Sequence, residues 1–211
     1  MTQIEPIPLQ RLTTLRVGAA PERMIDATTR DELVGALREA WSEGEPWLVL
    51  GGGSNLLAGD ESFDGTVVRI LTRGFTEVPG APEGYVRLSV EAGQNWDETV
   101  AWTVPQGMSG TVARSGIPGT TGAAPIQNVG AYGQEIVQTL VEVELIDEST
   151  GDVSVVPASE LGLGPRTSVL KHHYGAAPER SAVVLSLTLD LERVGHEPRP
   201  VDDPRLRAAL G

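Results

Sequence analysis

Two stretches of this chain concentrate residues that can hold a polyphosphate without a side-chain cation. The first is Gly51-Gly52-Gly53-Ser54-Asn55-Leu56, which follows directly on the apolar run PWLVL. Without Cβ atoms, the backbone at Gly51, Gly52 and Gly53 can turn tightly and let a ligand approach its N–H groups. Successive amides arranged in this way form a concave nest for anions, and Ser54 and Asn55 add side-chain donors. No Gly-Lys-Ser/Thr follows, so the stretch is not a P-loop, and it is not a G-x-G-x-x-G fingerprint. A plain turn between strands is the alternative. The second stretch, SGIPGTTGAAPIQNVGAYG, begins at Ser115. Gly116, Gly119 and Gly122 recur at every third residue, Pro118 and Pro125 stiffen the path, and Gln127 and Asn128 carry amide donors and acceptors. With only Ile117, Ala123 and a few other small apolar groups, it buries little by itself. It suits a loop lying along an extended polar ligand. Two glycine-rich loops are what a long diphosphate cofactor needs, one for the pyrophosphate and one for the rest of the molecule. Two loops packed on each other would also explain them.

Composition narrows the chemistry further. The chain has 211 residues and no cysteine, which removes disulfides, Cys-ligated zinc and thiol catalysis. A formal net charge of −13 works against nucleic acid or anionic lipid as a partner. No basic region precedes an apolar run at the N-terminus, and no run of about 18 apolar residues is present to span a membrane. A soluble, cytoplasmic protein is expected. His172 and His173 are adjacent and would point apart in a strand, and His196 falls in a loop, so no metal role is assigned. There is no H-E-x-x-H and no nucleophile elbow. The carboxylates are scattered, and Trp41, Trp47, Trp96 and Trp102 read as packing residues.

The elements that must position these loops are an alternation of strands and helices followed by a mostly β half. Thr29 and Glu32 have capping-box spacing. Leu33, Ala36, Leu37, Ala40 and Trp41 then share a helical face, and Gly44 stops the helix. PWLVL and TVVRI read as strands. A strand from Tyr85, a short helix capped by Asn95 and ended by Pro105, and a hairpin turning at 149–152 follow. In SAVVLSLTLDL, strict alternation places Val183, Leu185, Leu187, Leu189 and Leu191 on one face, with Ser186, Thr188 and Asp190 opposite. The last residues hint at a fragment of helix. The fold class is α+β, in two small subdomains, 1–75 and 76–195, with 196–211 as a lead-in to something further.

LTTLRVGAAPERMIDATTRDEL, VLGGGSNLL and SGIPGTTGAAPIQNVGAYGQEI, in this order, resemble the UDP-N-acetylenolpyruvoylglucosamine reductase family. These are flavoenzymes that make UDP-N-acetylmuramate for bacterial peptidoglycan, and the resemblance runs from about Leu12 to the end. It implies a two-part FAD-binding module of the vanillyl-alcohol-oxidase (PCMH) type with FAD wedged between the halves, NADPH as hydride donor and a nucleotide-sugar substrate. Gly51 to Leu56 would hold the pyrophosphate. Ser115, Gly116, Ile117, Pro118, Gly119, Gly122 and Ala123 would track the cofactor, with Gln127 and Asn128 close by and the strand of Val183 offering backbone groups to the flavin. PRTSVLKHHY resembles the segment that supplies an arginine to the substrate carboxylate, which makes Arg166 the catalytic candidate. Pro165 stands where the family usually has a tyrosine, and Pro105 interrupts a stretch that is usually helical. The family's C-terminal substrate domain carries a proton-donating serine and a late glutamate that have no counterpart before Gly211. The expectation is an FAD-binding portion incomplete for turnover, with a non-catalytic FAD module as the alternative.

Overall fold

Thr29 caps α1 (Arg30–Glu43) through a reciprocal capping box: its side chain accepts from the Glu32 amide while the Glu32 carboxylate accepts from the Thr29 amide. Gly44 closes the helix in the left-handed region, at φ 69°. The helix is the crossover that a parallel sheet requires. That first sheet contains β1 (Thr2–Ile4), β2 (Arg23–Ala27), β3 (Trp47–Leu50) and β4 (Thr66–Ile70) in the order β1-β2-β4-β3. Only the β1–β2 pair is antiparallel. This computed structural model describes residues 2–172 and 175–194. His173, His196, the fragment of helix expected near the end and the lead-in 196–211 lie outside the described residues.

Residues 71–74 connect to an antiparallel half. Its elements are β5 (Phe75–Val78), β6 (Tyr85–Glu91), α2 (Trp96–Thr103), β7 (Met108–Ser109), a small hairpin of β8 (Gly130–Ala131) and β9 (Gln134–Glu135), then β10 (Leu140–Asp147), β11 (Val153–Pro157) and β12 (Ala182–Arg193). The sheet order is β11-β10-β12-β6-β5, with β7 paired to β12. α2 is capped by the Asn95 side chain and stops just before Pro105.

One expectation is corrected here. The five alternating apolar residues of β12 do not share a face. Glu144 pairs with Ser186, but Leu145 pairs with Val184, so β12 bulges at Leu185. A bulge inserts a residue and reverses which face the following side chains take. Leu187, Leu189 and Leu191 join Val184 in the core of the second half. Val183 and Leu185 instead enter a separate core with Leu33, Ala36 and Leu37 of α1 and Ile25, Val68 and Ile70 of the first sheet. One strand thus serves two cores, and α1 is held between the two sheets. Polar contacts fasten the same seam: Arg30 pairs with Glu144, Arg38 Nη2 donates to the Gly151 carbonyl at 2.8 Å, and Trp47 Nε1 donates to Glu148 at 2.8 Å.

Candidate functional site

The Gly51–Leu56 loop leaves the carboxyl end of the parallel strand β3, the end at which open α/β sheets receive ligands. The backbone N–H groups of Gly51 through Leu56 find no hydrogen-bond acceptor among the described residues. Of these six residues only Gly53 is buried and Gly52 and Asn55 are exposed, so the run lies at the surface with its donors not spent inside the protein. The loop is fixed by close packing. A Cβ on Gly53 (φ +62°) would lie 2.1 Å from the Leu12 carbonyl oxygen, and one on Gly52 would lie 2.9 Å from Gly119 Cα. Ser54 Oγ donates to the Pro118 carbonyl at 3.3 Å. The two glycine-rich loops therefore do pack on each other, and where they meet the amides of Gly119 and Thr120 also lack acceptors among the described residues. Close packing explains the glycines. It does not use the donors, which stay available to an anionic ligand. Leu56 tucks partly under the first sheet.

The second glycine segment is bolted to the start of α2. Asp97 accepts from the Gly116 amide at 2.7 Å and from Ser115 Oγ at 3.0 Å. These two donors hold its carboxyl below the usual range, the Gly116 amide contributing most. Trp96 N donates to the Gly119 carbonyl, and Trp96 Nε1 donates to the Arg114 carbonyl, both at 3.0 Å. Gly122 has a different task. It is buried, its N–H donates to the Ala92 carbonyl, and a Cβ there would meet Ala92 Cβ at 2.6 Å. Ala123 N is bonded to the Thr120 carbonyl, and Ile117 packs partly on the second core. Val183 is buried in the core between the sheets, paired with Ile146 of β10.

Arg114, which the sequence did not single out, is fully buried just before this segment. Its guanidinium lies over the Trp96 ring, 5.2 Å from the centroid, and Nη2 donates to Thr139 Oγ1 at 3.1 Å and to the Gly110 carbonyl. Nε and Nη1 have no partner among the described residues. Burial pulls its pKa down from the usual arginine range to about 10. Below about pH 10 the guanidinium stays charged, and burying that charge costs the fold roughly 3 kcal/mol; the penalty fades as pH rises through 10 and the group loses its proton. Arg114→Met keeps the length and the contact with Trp96 while removing the charge. Set against the loss of one or two hydrogen bonds, it is expected to raise stability by about 1–2 kcal/mol. Arg114→Ala leaves a cavity and should lower it. Thermal unfolding of the two variants checks the opposite signs.

Arg166 sits at the tip of a tight turn. Gly164 and Thr167 exchange backbone hydrogen bonds at 3.2 and 3.3 Å, Pro165 takes the first corner and Arg166 the second, at φ +58°. Lys171 Nζ donates to the Arg166 carbonyl at 2.6 Å. The guanidinium is exposed and has no ion-pair partner among the described residues. It borders a cavity of about 390 Å³ with Asn128, Tyr132, Gln134, Glu135 and Gln138. Four described non-glycine residues have left-handed backbones, and three of them, Asn128 (φ 46°), Tyr132 (φ 51°) and Arg166, line this one cavity. Strained backbone gathers where function requires a fixed geometry. Gln127 is half-buried, with no side-chain partner among the described residues, whereas the Asn128 side chain is fully engaged. Asp97 and Tyr132 were also missed by the sequence reading. Asp97 was visible only as a first-turn acid of α2, and nothing in the spacing tied it to a loop 19 residues away.

No described helix is long and apolar enough to cross a membrane. A sequence profile described as the FAD binding domain matches residues 21–156. A UDP-N-acetylenolpyruvoylglucosamine reductase from Leifsonia xyli is 53% identical over 187 residues, covering 89% of this chain and 48% of the relative. Among solved structures, the enzyme of the same name from Thermus caldophilus superposes with a TM-score of 0.70 at 29% identity, over 99% of this chain and 68% of that one. A VAO-type flavoprotein from Myceliophthora thermophila shares the fold, with a TM-score of 0.57 at 20% identity over 83% of this chain and 32% of that one. This chain spans about half the length of the curated relatives it matches. The resemblance read from the three motifs holds, and the α+β architecture is that of a two-part VAO-type module. With the profile matching well over half its length, the chain belongs to the FAD binding domain family.

Proposed function

We propose that this chain is the FAD-holding part of a reductase that uses NADPH to convert UDP-N-acetylglucosamine enolpyruvate into UDP-N-acetylmuramate, in the cytoplasm and on the path to peptidoglycan. The observation that carries the reading is the run of unpaired amides from Gly51 to Leu56 beside those of Gly119 and Thr120. Neither glycine-rich loop, 51–56 or 115–128, carries a lysine or arginine to give a diphosphate, and backbone donors supply the alternative. The relatives named as UDP-N-acetylenolpyruvoylglucosamine reductases point to the same reaction. The halves 1–75 and 76–195 form the two sides of the FAD site, with the second glycine segment held to α2 by Asp97 and Trp96.

When bound, FAD supplies hydride transfer from the nicotinamide to the enolpyruvyl double bond. Arg166 faces the substrate carboxylate, where negative charge grows during that transfer. A fixed, permanently charged guanidinium stabilises such charge without reorganising. Titration with FAD, followed by flavin fluorescence and gel filtration, tests the reading. One equivalent should be retained, and NADPH should bleach it in the absence of oxygen. A protein that emerges colourless from excess FAD would sink the proposal.

A further inference from the structure

We infer that Asn128 is a positioning residue for Arg166 and not a contact to the cofactor. Its residue surface is 2% exposed, and its side-chain amide is engaged within the protein. Nδ2 donates to Glu135 Oε2 at 2.8 Å and to the Gly164 carbonyl at 3.1 Å, and Oδ1 accepts from the Val137 amide at 3.2 Å. Both amide protons are used, so no donor remains for a ligand. Gly164 is the first residue of the turn that carries Arg166, and its carbonyl also accepts from the Thr167 amide. Asn128 thereby ties that turn to the β8–β9 hairpin, 36 residues away in sequence. Its left-handed backbone, at φ 46°, is one that asparagine tolerates better than other side chains do.

A second tie runs parallel to the first. Ser168 Oγ donates to the Ile126 carbonyl at 2.6 Å and accepts from the Leu170 amide at 3.2 Å. The segment 164–170 is thus stitched at two points to 126–128, and Arg166 projects from between them. A guanidinium on a long, flexible stem is useful against a developing charge only if its base is fixed. Asn128 supplies that fixation by a buried hydrogen bond, which in a low-dielectric setting is firmer than the same bond in water.

The part played by Arg166 rests on the proposed reductase function, but the link between Asn128 and the turn does not. The experiment separates the two. Asn128→Asp is isosteric but cannot donate to the Gly164 carbonyl when ionised, and it sets a carboxylate against Glu135. Limited trypsin digestion, read by mass spectrometry, should show cleavage after Arg166 at least ~10-fold faster than in the unmodified protein, with other cleavage sites unchanged. Because the new carboxyl regains a donor once protonated, the excess should shrink as pH falls from about 8 to 6, relative to the unmodified protein at the same pH. FAD affinity of the variant should stay within about 2-fold, since no cofactor contact is removed. A loss of FAD affinity of about 10-fold with unchanged cleavage at Arg166 would overturn the inference, as would faster cleavage at all sites alike. If Asn128→Asp does not fold, Asn128→Gly keeps the left-handed backbone and removes all three bonds, with the same expected pattern except for the pH dependence. Failure of the unmodified protein to bind FAD would sink the reductase reading alone, since the cleavage pattern is read without cofactor.

Discussion

Gly53→Ala is expected to lose about 2–5 kcal/mol of stability and to abolish FAD uptake. Two costs add. Gly53 has φ +62°, and a Cβ in the left-handed region costs about 1–2 kcal/mol. That Cβ would also fall 2.1 Å from the Leu12 carbonyl oxygen and 3.1 Å from Thr13 Cα, both of them backbone. Backbone cannot rotate away as a side chain can, and forcing such overpacking costs a further 1–3 kcal/mol or so. Relief requires that the chain at 12–14 and the loop at 51–56 move apart. The Thr14 amide, which donates to the Gly53 carbonyl at 3.1 Å, would move with them. The amide run that the proposed diphosphate site depends on would then lose its shape. Gly116→Ala separates conformation from space: φ is +75°, yet nothing lies within 4 Å of the new Cβ. It should cost only the backbone part, about 1–2 kcal/mol. Thermal unfolding and FAD titration of both variants measure the contrast. A Gly53→Ala protein that melts beside the unmodified one and turns yellow would remove the loop from the site.

Such distinctions among glycines were beyond the sequence. Gly116, Gly119 and Gly122 look equivalent at every third position. In the fold Gly116 meets open space, Gly119 abuts the first loop, and Gly122 is a packing glycine under Ala92. What separates them is the neighbour that long-range pairing brings up, and no local pattern encodes it. The legible features are those whose cause is local. Thr29 with Glu32, Asn95 and Gly44 announce helix ends because capping is settled within about four residues. The hairpin at 149–152 is readable for the same reason. The alternation in β12 predicted a single face and was wrong for Leu187, Leu189 and Leu191, past the bulge at Leu185, because a bulge is a property of the pair β10–β12 and not of either strand. The site divides along the same line. The amide-rich loops announce themselves by composition, and motif resemblance brings Arg166 in. The hydrogen bonds of Asp97 and Asn128, which hold both in place, span 19 and 36 residues and leave no trace in spacing.

Arg166→Gly should separate stability from activity. The second corner of a turn with Pro165 at its first corner favours glycine or asparagine when φ is positive. Arginine at φ +58° is strained there by about 1–2 kcal/mol. Glycine relieves that strain and returns part of the gain as entropy of the unfolded chain, about 0.5–1 kcal/mol. The variant should therefore be as stable as the unmodified protein or up to about 1 kcal/mol more so. The same change removes the one cation among the described residues that borders the cavity beside Tyr132 and Gln134. In the proposed reaction this takes away the fixed charge opposite the substrate carboxylate. Assayed within the reductase whose FAD-holding part we propose this chain to be, NADPH oxidation dependent on UDP-N-acetylglucosamine enolpyruvate should then fall about 10²–10³-fold, the usual effect of deleting one preorganised stabilising group. Arg166→Met keeps the strained backbone and loses the charge, so it should match the glycine variant in turnover and fall below it in melting temperature. FAD affinity should hold in both. A chain has little reason to place a long side chain in the left-handed region of a turn that glycine would fill at lower cost, unless the position of that charge is worth the strain. A glycine variant that melts lower and turns over undiminished would show that Arg166 is neither strained nor needed.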